Sequence, residues 1–139
     1  MIAVLLDTNV IIDFAEEREG FYVAAKDVFR ITEQRGISRC VSASAVTDIY
    51  YLLQKHHKKP GAALSLLKKL LRHLNVIGVD RQTIEIAIES GMDDFEDAVQ
   101  TAAAKDFGID IVVTRDKEGF CNSGLQVYSP GEFLETLKQ

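Results

Sequence analysis

The chain has 139 residues, 47% of them hydrophobic, with two prolines, 16 basic and 21 acidic side chains and a formal net charge of −5. That length suits a single domain over residues 1–139, with one core burying roughly 70% of the unfolded surface, and the apolar content excludes a disordered chain. No apolar run approaches the ~18 residues of a membrane span, and Met1–Asp7 lacks the basic start of a signal peptide, so the sequence reads as cytoplasmic with no membrane contact. Cys40 and Cys121 form no CxxC or Cys/His cluster, which argues against a disulfide framework and a structural zinc site.

Ile2–Leu6 is a continuous apolar run ending at Asp7, the pattern of a strand covered on both faces, and a short helix should follow from Thr8 to about Glu17. Tyr22–Arg35 has helical periodicity and is stopped by Gly36, with Ile37–Val41 as a second strand. Ser42 or Ser44 is placed to cap a helix that ends in the basic turn Lys55–Lys59, and Pro60 can open the next, from Ala62 to Leu74. Asn75–Val79 is a third strand, Asp80 a cap for a helix reaching Ser90, and Asp93 with Glu96 a capping-box-like start for a helix to Phe107, closed by Gly108. Ile109–Val113 and Gln126–Tyr128 are the last strands, and Ser129-Pro130-Gly131-Glu132 opens a closing helix. Strands alternating with helices predict a three-layer α/β/α sandwich on a mostly parallel sheet.

In such a sheet, ligands sit beyond the carboxyl ends of the strands, where strand order switches. Asp7 and Asp116 both follow buried strands at that end, and two carboxylates converging there would repel unless a cation joined them. Asp94 and Asp97 are spaced i, i+3 at a helix start, where acidic residues are also favoured simply by the helix dipole. Asp48 is mid-helix, a position that aspartate fits poorly, so it is either solvent-facing or a partly buried carboxylate in need of a partner. Residues 49–79 hold six basic side chains and no acidic one, which leaves −11 on the remainder. That stretch is either a solvated face or a surface for a polyanion.

Four segments together resemble the PIN domain family: Leu5–Asp13, Val41-Ser42 through Asp48, Asp94-Phe95-Glu96-Asp97-Ala98, and Val112-Val113-Thr114-Arg115-Asp116. Many members are ribonuclease toxins of VapC-like toxin–antitoxin pairs. The resemblance implies an endoribonuclease whose Asp7, Asp48, Asp97 and Asp116 bind Mg²⁺ or Mn²⁺, with a cognate antitoxin and a homodimer as partners. The chemistry agrees, since phosphodiester hydrolysis needs an activated water and neutralised charge, and hard oxygen ligands select those ions. Asn9, Asp94 and Thr114 are candidate supports for the ligands, although Thr8 and Asn9 can equally cap the first helix. Lys55, Lys58, Lys59 and Arg115 are candidate RNA contacts. There are two departures from the family pattern: Asp48 stands where the family usually has Glu, and Asp116 and Gly119 stand where relatives often have Asn and Asp.

The absence of GxxxxGK[ST] and GxGxxG disfavours an NTPase or a dinucleotide enzyme. His56-His57 is a poor zinc pair, because neighbours on a helix point about 100° apart. The alternative from another class is a PIN-like module that binds RNA or an antitoxin with little catalysis; divalent-dependent RNA cleavage separates the two.

Overall fold

The computed structural model describes residues 1–138. Five strands, β1 (Ala3–Leu6), β2 (Ser38–Ser42), β3 (Asn75–Ile77), β4 (Ile111–Val113) and β5 (Gln126–Tyr128), form one parallel sheet in the order β3-β2-β1-β4-β5. The helices are α1 (Thr8–Ala15), α2 (Tyr22–Gln34), α3 (Ala43–His56), α4 (Ala62–Leu71), α5 (Arg81–Glu89), α6 (Phe95–Asp106) and α7 (Pro130–Thr136). The expected three-layer α/β/α architecture is the one observed.

Strand alternation divides the core in two. Val4, Leu6, Ile111 and Val113 point to the face covered by α1, α2, α3 and α7, where Val10, Ile11, Phe29, Ile49 and Phe133 pack. Leu5, Cys40, Ile77 and Val112 point to the other face, against Ala103 and Ala104 of α6 and the fully buried Phe120. A sheet buried on both sides needs apolar residues at every position, which is why β1 and β4 read as unbroken runs.

Several boundaries differ from the sequence expectation. Asp94, and not Asp93, caps α6, its Oδ1 accepting from the Asp97 N–H at 2.9 Å. Gly61 at φ +79°, and not Pro60, opens α4. That helix ends at Leu71 and β3 ends at Ile77. Asp80 and Ser129 form the anticipated caps, each in a reciprocal capping box, with Thr83 and Glu132 respectively.

The chain winds outward from β1 through β2 to β3 and then returns to the other side of β1 for β4, so the strand order switches between β1 and β4. The Asp7 N–H donates to the Val113 carbonyl (3.0 Å) and the Thr114 N–H to Tyr128 (2.9 Å), so both loops of the crevice start in fixed register.

Candidate active site

Asp7 closes β1 and caps α1, its Oδ1 accepting from the Thr8 N–H at 2.8 Å. It is 7% exposed, and burial pushes its carboxyl above the ordinary aspartate range against the opposing hydrogen bonds of Thr114, Thr8 and Gln100. Thr114 Oγ1 donates to Asp7 Oδ2 at 2.7 Å, and Asn9 Nδ2 approaches the same oxygen at 3.4 Å. Asn9 and Thr114 are therefore both hydrogen-bonded to Asp7. The α1 cap is Asp7 itself, which leaves the Asn9 amide free to tie α1 to the β4 loop by accepting from the Arg115 N–H at 3.2 Å.

Asp97, half-buried in the first turn of α6, is held up to about 7, first by burial and then by the charges of Asp7, Asp94 and Asp116. That shift reports a shared acidic pocket. Asp116 lies on the β4 loop with its N–H donating to Thr114 Oγ1 at 2.9 Å. Asp97 Oδ2 and Asp116 Oδ2 lie 2.5 and 2.8 Å from the point that a Cβ on Gly119 would occupy. Asp93, Asp94, Asp116, Glu118 and Gly119 also line an adjoining cleft of about 200 Å³.

Asp48 does not join this group directly. Asp48, on α3, lies close to Glu96 in the first turn of α6, and Glu96 is pushed up to about 7 by partial burial and by the neighbouring carboxyl groups of Asp48, Asp94 and Asp97. The structure thus groups Asp7, Asp97 and Asp116 and places Asp48, the fourth expected aspartate, beside Glu96. Sequence reasoning had assigned Glu96 to capping and did not single it out.

Gln100 was also missed. It lies one turn after Asp97 on α6, is 1% exposed, and directs Nε2 at Asp7 Oδ1 from 3.5 Å while its Oε1 has no hydrogen-bond partner. A lone amide among Ala98, Val99, Ala102 and Ala103 was the available signal.

The basic candidates are placed elsewhere. Arg115 stacks on the Phe21 ring at 3.9 Å and is engaged by buried Asp13 through Nε (2.5 Å) and Nη2 (3.1 Å), so most of its guanidinium edge is occupied within the protein. Lys55 lies in the last turn of α3, which runs antiparallel to the strands, and Lys58 and Lys59 follow just beyond its carboxyl end. With a rise of about 1.5 Å per residue, they are more than ~10 Å along the axis from Asp48, at the end of the sheet away from the carboxylates. His56 and His57 reach Glu16 there, at 2.8 and 3.6 Å. The two imidazoles converge because the helix ends between them, contrary to the divergence expected within a helix.

Among the described residues, no three His, Cys, Asp or Glu side chains close round one point tightly enough to hold a metal ion as they stand. The donor set of the crevice nevertheless fits a hard divalent cation. Every candidate ligand is a carboxylate oxygen, Asp97 carries the raised pKa of unneutralised acidic neighbours, and the bare Gly119 leaves a cradle between two of them.

Metal-free stability should fall with pH. Asp97 and Glu96 keep protons in the fold up to about 7, whereas the unfolded chain releases them near 4, so the native state binds more protons in that window. In EDTA the melting temperature should fall from pH 4.5 to 7 and level off above. Asp97→Asn should flatten this fall and, after discounting for solvent screening, gain about 1 kcal/mol at pH 8. Parallel pH profiles for the two proteins would contradict this reading of Asp97.

A PIN domain model matches residues 3–118, and the chain belongs to the PIN domain family. It is 31% identical over 137 residues to Ribonuclease VapC1 of Aquifex aeolicus, covering 95% of this chain and 93% of that one. DNA-bound VapBC from Salmonella typhimurium superposes with a TM-score of 0.71 at 19% identity, over 94% of this chain and 99% of the other. A toxin–antitoxin complex from Klebsiella pneumoniae gives 0.64 at 20% identity, over 91% and 97%. Among the described residues, no helix is long and apolar enough to cross a membrane.

Proposed function

We propose that this chain is a Mg²⁺- or Mn²⁺-dependent endoribonuclease and the toxin of a toxin–antitoxin pair, folded as one PIN domain and acting in the cytoplasm. The observation that carries this reading is the convergence of Asp7, Asp97 and Asp116 at the β1/β4 switch. The ribonuclease name of a relative 31% identical over nearly the whole chain supports it. Asp7, Asp97 and Asp116 would hold the cation, with Asp48 acting through Glu96. Bound there, a divalent ion supplies charge neutralisation and Lewis-acid activation for phosphodiester hydrolysis.

The chain's own residues do the rest. Thr114, Asn9 and Gln100 orient the Asp7 carboxylate, and the Asp94 cap holds the first turn of α6 so that Asp97 faces it. The α1 and α6 N-termini place positive dipole ends beside the carboxylates and any phosphate drawn to them. Asp13 fixes Arg115, whose backbone N–H holds the β4 loop to Asn9. An antitoxin partner, which the VapBC and toxin–antitoxin neighbours support, and a homodimer are part of the same reading.

The test is cleavage of single-stranded RNA with Mg²⁺ or Mn²⁺ and with EDTA. Cleavage that needs the cation supports the enzyme; RNA or antitoxin binding without cleavage selects the non-catalytic module.

The distal lysines make a separate prediction. Replacing Lys55, Lys58 and Lys59 by Gln should flatten the salt dependence of binding for RNA long enough to cross the molecule, and leave Mn²⁺ affinity unchanged. An unchanged salt slope would assign these lysines to the solvated face.

A further inference from the structure

Gly119 lies in the 3-10 turn Glu118–Phe120 that follows Asp116. A Cβ at this position would stand 2.5 Å from Asp97 Oδ2, 2.8 Å from Asp116 Oδ2 and 3.4 Å from Asp116 Cγ. Its φ is outside the left-handed region, so the backbone conformation does not itself demand glycine. The turn has little room to retreat, since Phe120 is fully buried and its N–H donates to the Lys117 carbonyl at 3.1 Å. What would yield to a side chain here is therefore the pair of carboxylates. The Gly119 N–H also donates to Asp116 Oδ1 at 3.3 Å, so the same residue seats Asp116 from one side and leaves its other oxygen open towards Asp97.

We propose that Gly119 is a positioning residue of the cation site: its bare Cα is the floor on which Asp97 and Asp116 converge, and its N–H seats Asp116, which thereby supplies the last carboxylate. This rests on the divalent-cation reading given above. A side chain at 119 would meet both oxygens and push the two carboxylates out of their present positions.

The test is calorimetric Mn²⁺ titration of the wild type, Gly119→Ala and Asp116→Asn, with metal-free melting of each. Gly119→Ala is expected to weaken Mn²⁺ binding by about tenfold or more, with a metal-free melting temperature within about 2 °C of wild type. Asp116→Asn is expected to weaken it at least as much. The proposal is overturned if either variant binds within about twofold of wild type. It is equally overturned if Gly119→Ala lowers the metal-free melting temperature by more than about 5 °C, which would assign the glycine to the fold. A wild type that binds no Mn²⁺ overturns the cation reading itself, and the first titration shows this before any variant is compared.

Discussion

Asp97→Asn and Asp7→Asn are each expected to lower Mn²⁺ affinity and RNA cleavage by on the order of a hundredfold or more, while the metal-free protein keeps its fold. Both changes remove a charge at nearly constant volume. Asparagine at 7 still accepts from the Thr8 N–H, so the α1 cap survives, and Asp97 gives its backbone N–H, and not its side chain, to the Asp94 cap. The loss should therefore be confined to the ligand function. Calorimetry and a single-stranded RNA assay, read beside circular dichroism, check it. Either variant binding and cleaving like wild type would remove that residue from the site.

Asp13→Ala is expected to destabilise the protein by about 3 kcal/mol and to lower its melting temperature by about 10 °C. Asp13 is 1% exposed, holds Arg115 through two hydrogen bonds and lies 3.7 Å from Arg18. Removing it leaves the Arg115 guanidinium without its acidic partner at a site sealed on one side by Phe21, while Arg18 keeps Glu16 at 3.6 Å. The site should feel the change as well, because Arg115 anchors the loop that carries Asp116. Thermal unfolding measures the first effect and Mn²⁺ titration the second. A loss below about 1 kcal/mol would mean that the pair does not anchor the loop.

The ends of the buried strands were legible because unbroken apolar runs have to stop at a polar residue, and Asp7 and the Thr114–Asp116 loop stand at such stops. The i, i+3 relation of Asp94 and Asp97 was legible from helical geometry alone, although only the structure shows which of Asp93 and Asp94 is the cap. The mid-helix position of Asp48 fits a solvent-facing aspartate as well as a partly buried one in need of a partner. That it lies beside Glu96 depends on how α3 packs against α6, a tertiary fact that no local pattern carries. The distance of Lys55, Lys58 and Lys59 from the carboxylates was available in principle, since a helix after a parallel strand runs back to the strand's starting end. Reading that stretch by its charge hid its direction. Gly119 is legible only as a departure from the family pattern, and that two carboxylates converge on it shows once its neighbours in space are known.

The pairing of β1 with β4 also bears on synthesis of the chain. Asp7 is made well before the Thr114 hydroxyl that orients it, which lies 107 positions later, and β1 gains its β4 neighbour only once Val112 and Val113 are available. The loop to be closed spans those 107 positions, so this contact has to follow the local ones in folding. A nascent chain on the ribosome can form β1, β2 and their intervening helices while still lacking the β4 loop. The carboxylate cluster is thus assembled last, and a polypeptide truncated before β4 lacks both Asp116 and the hydroxyl that orients Asp7.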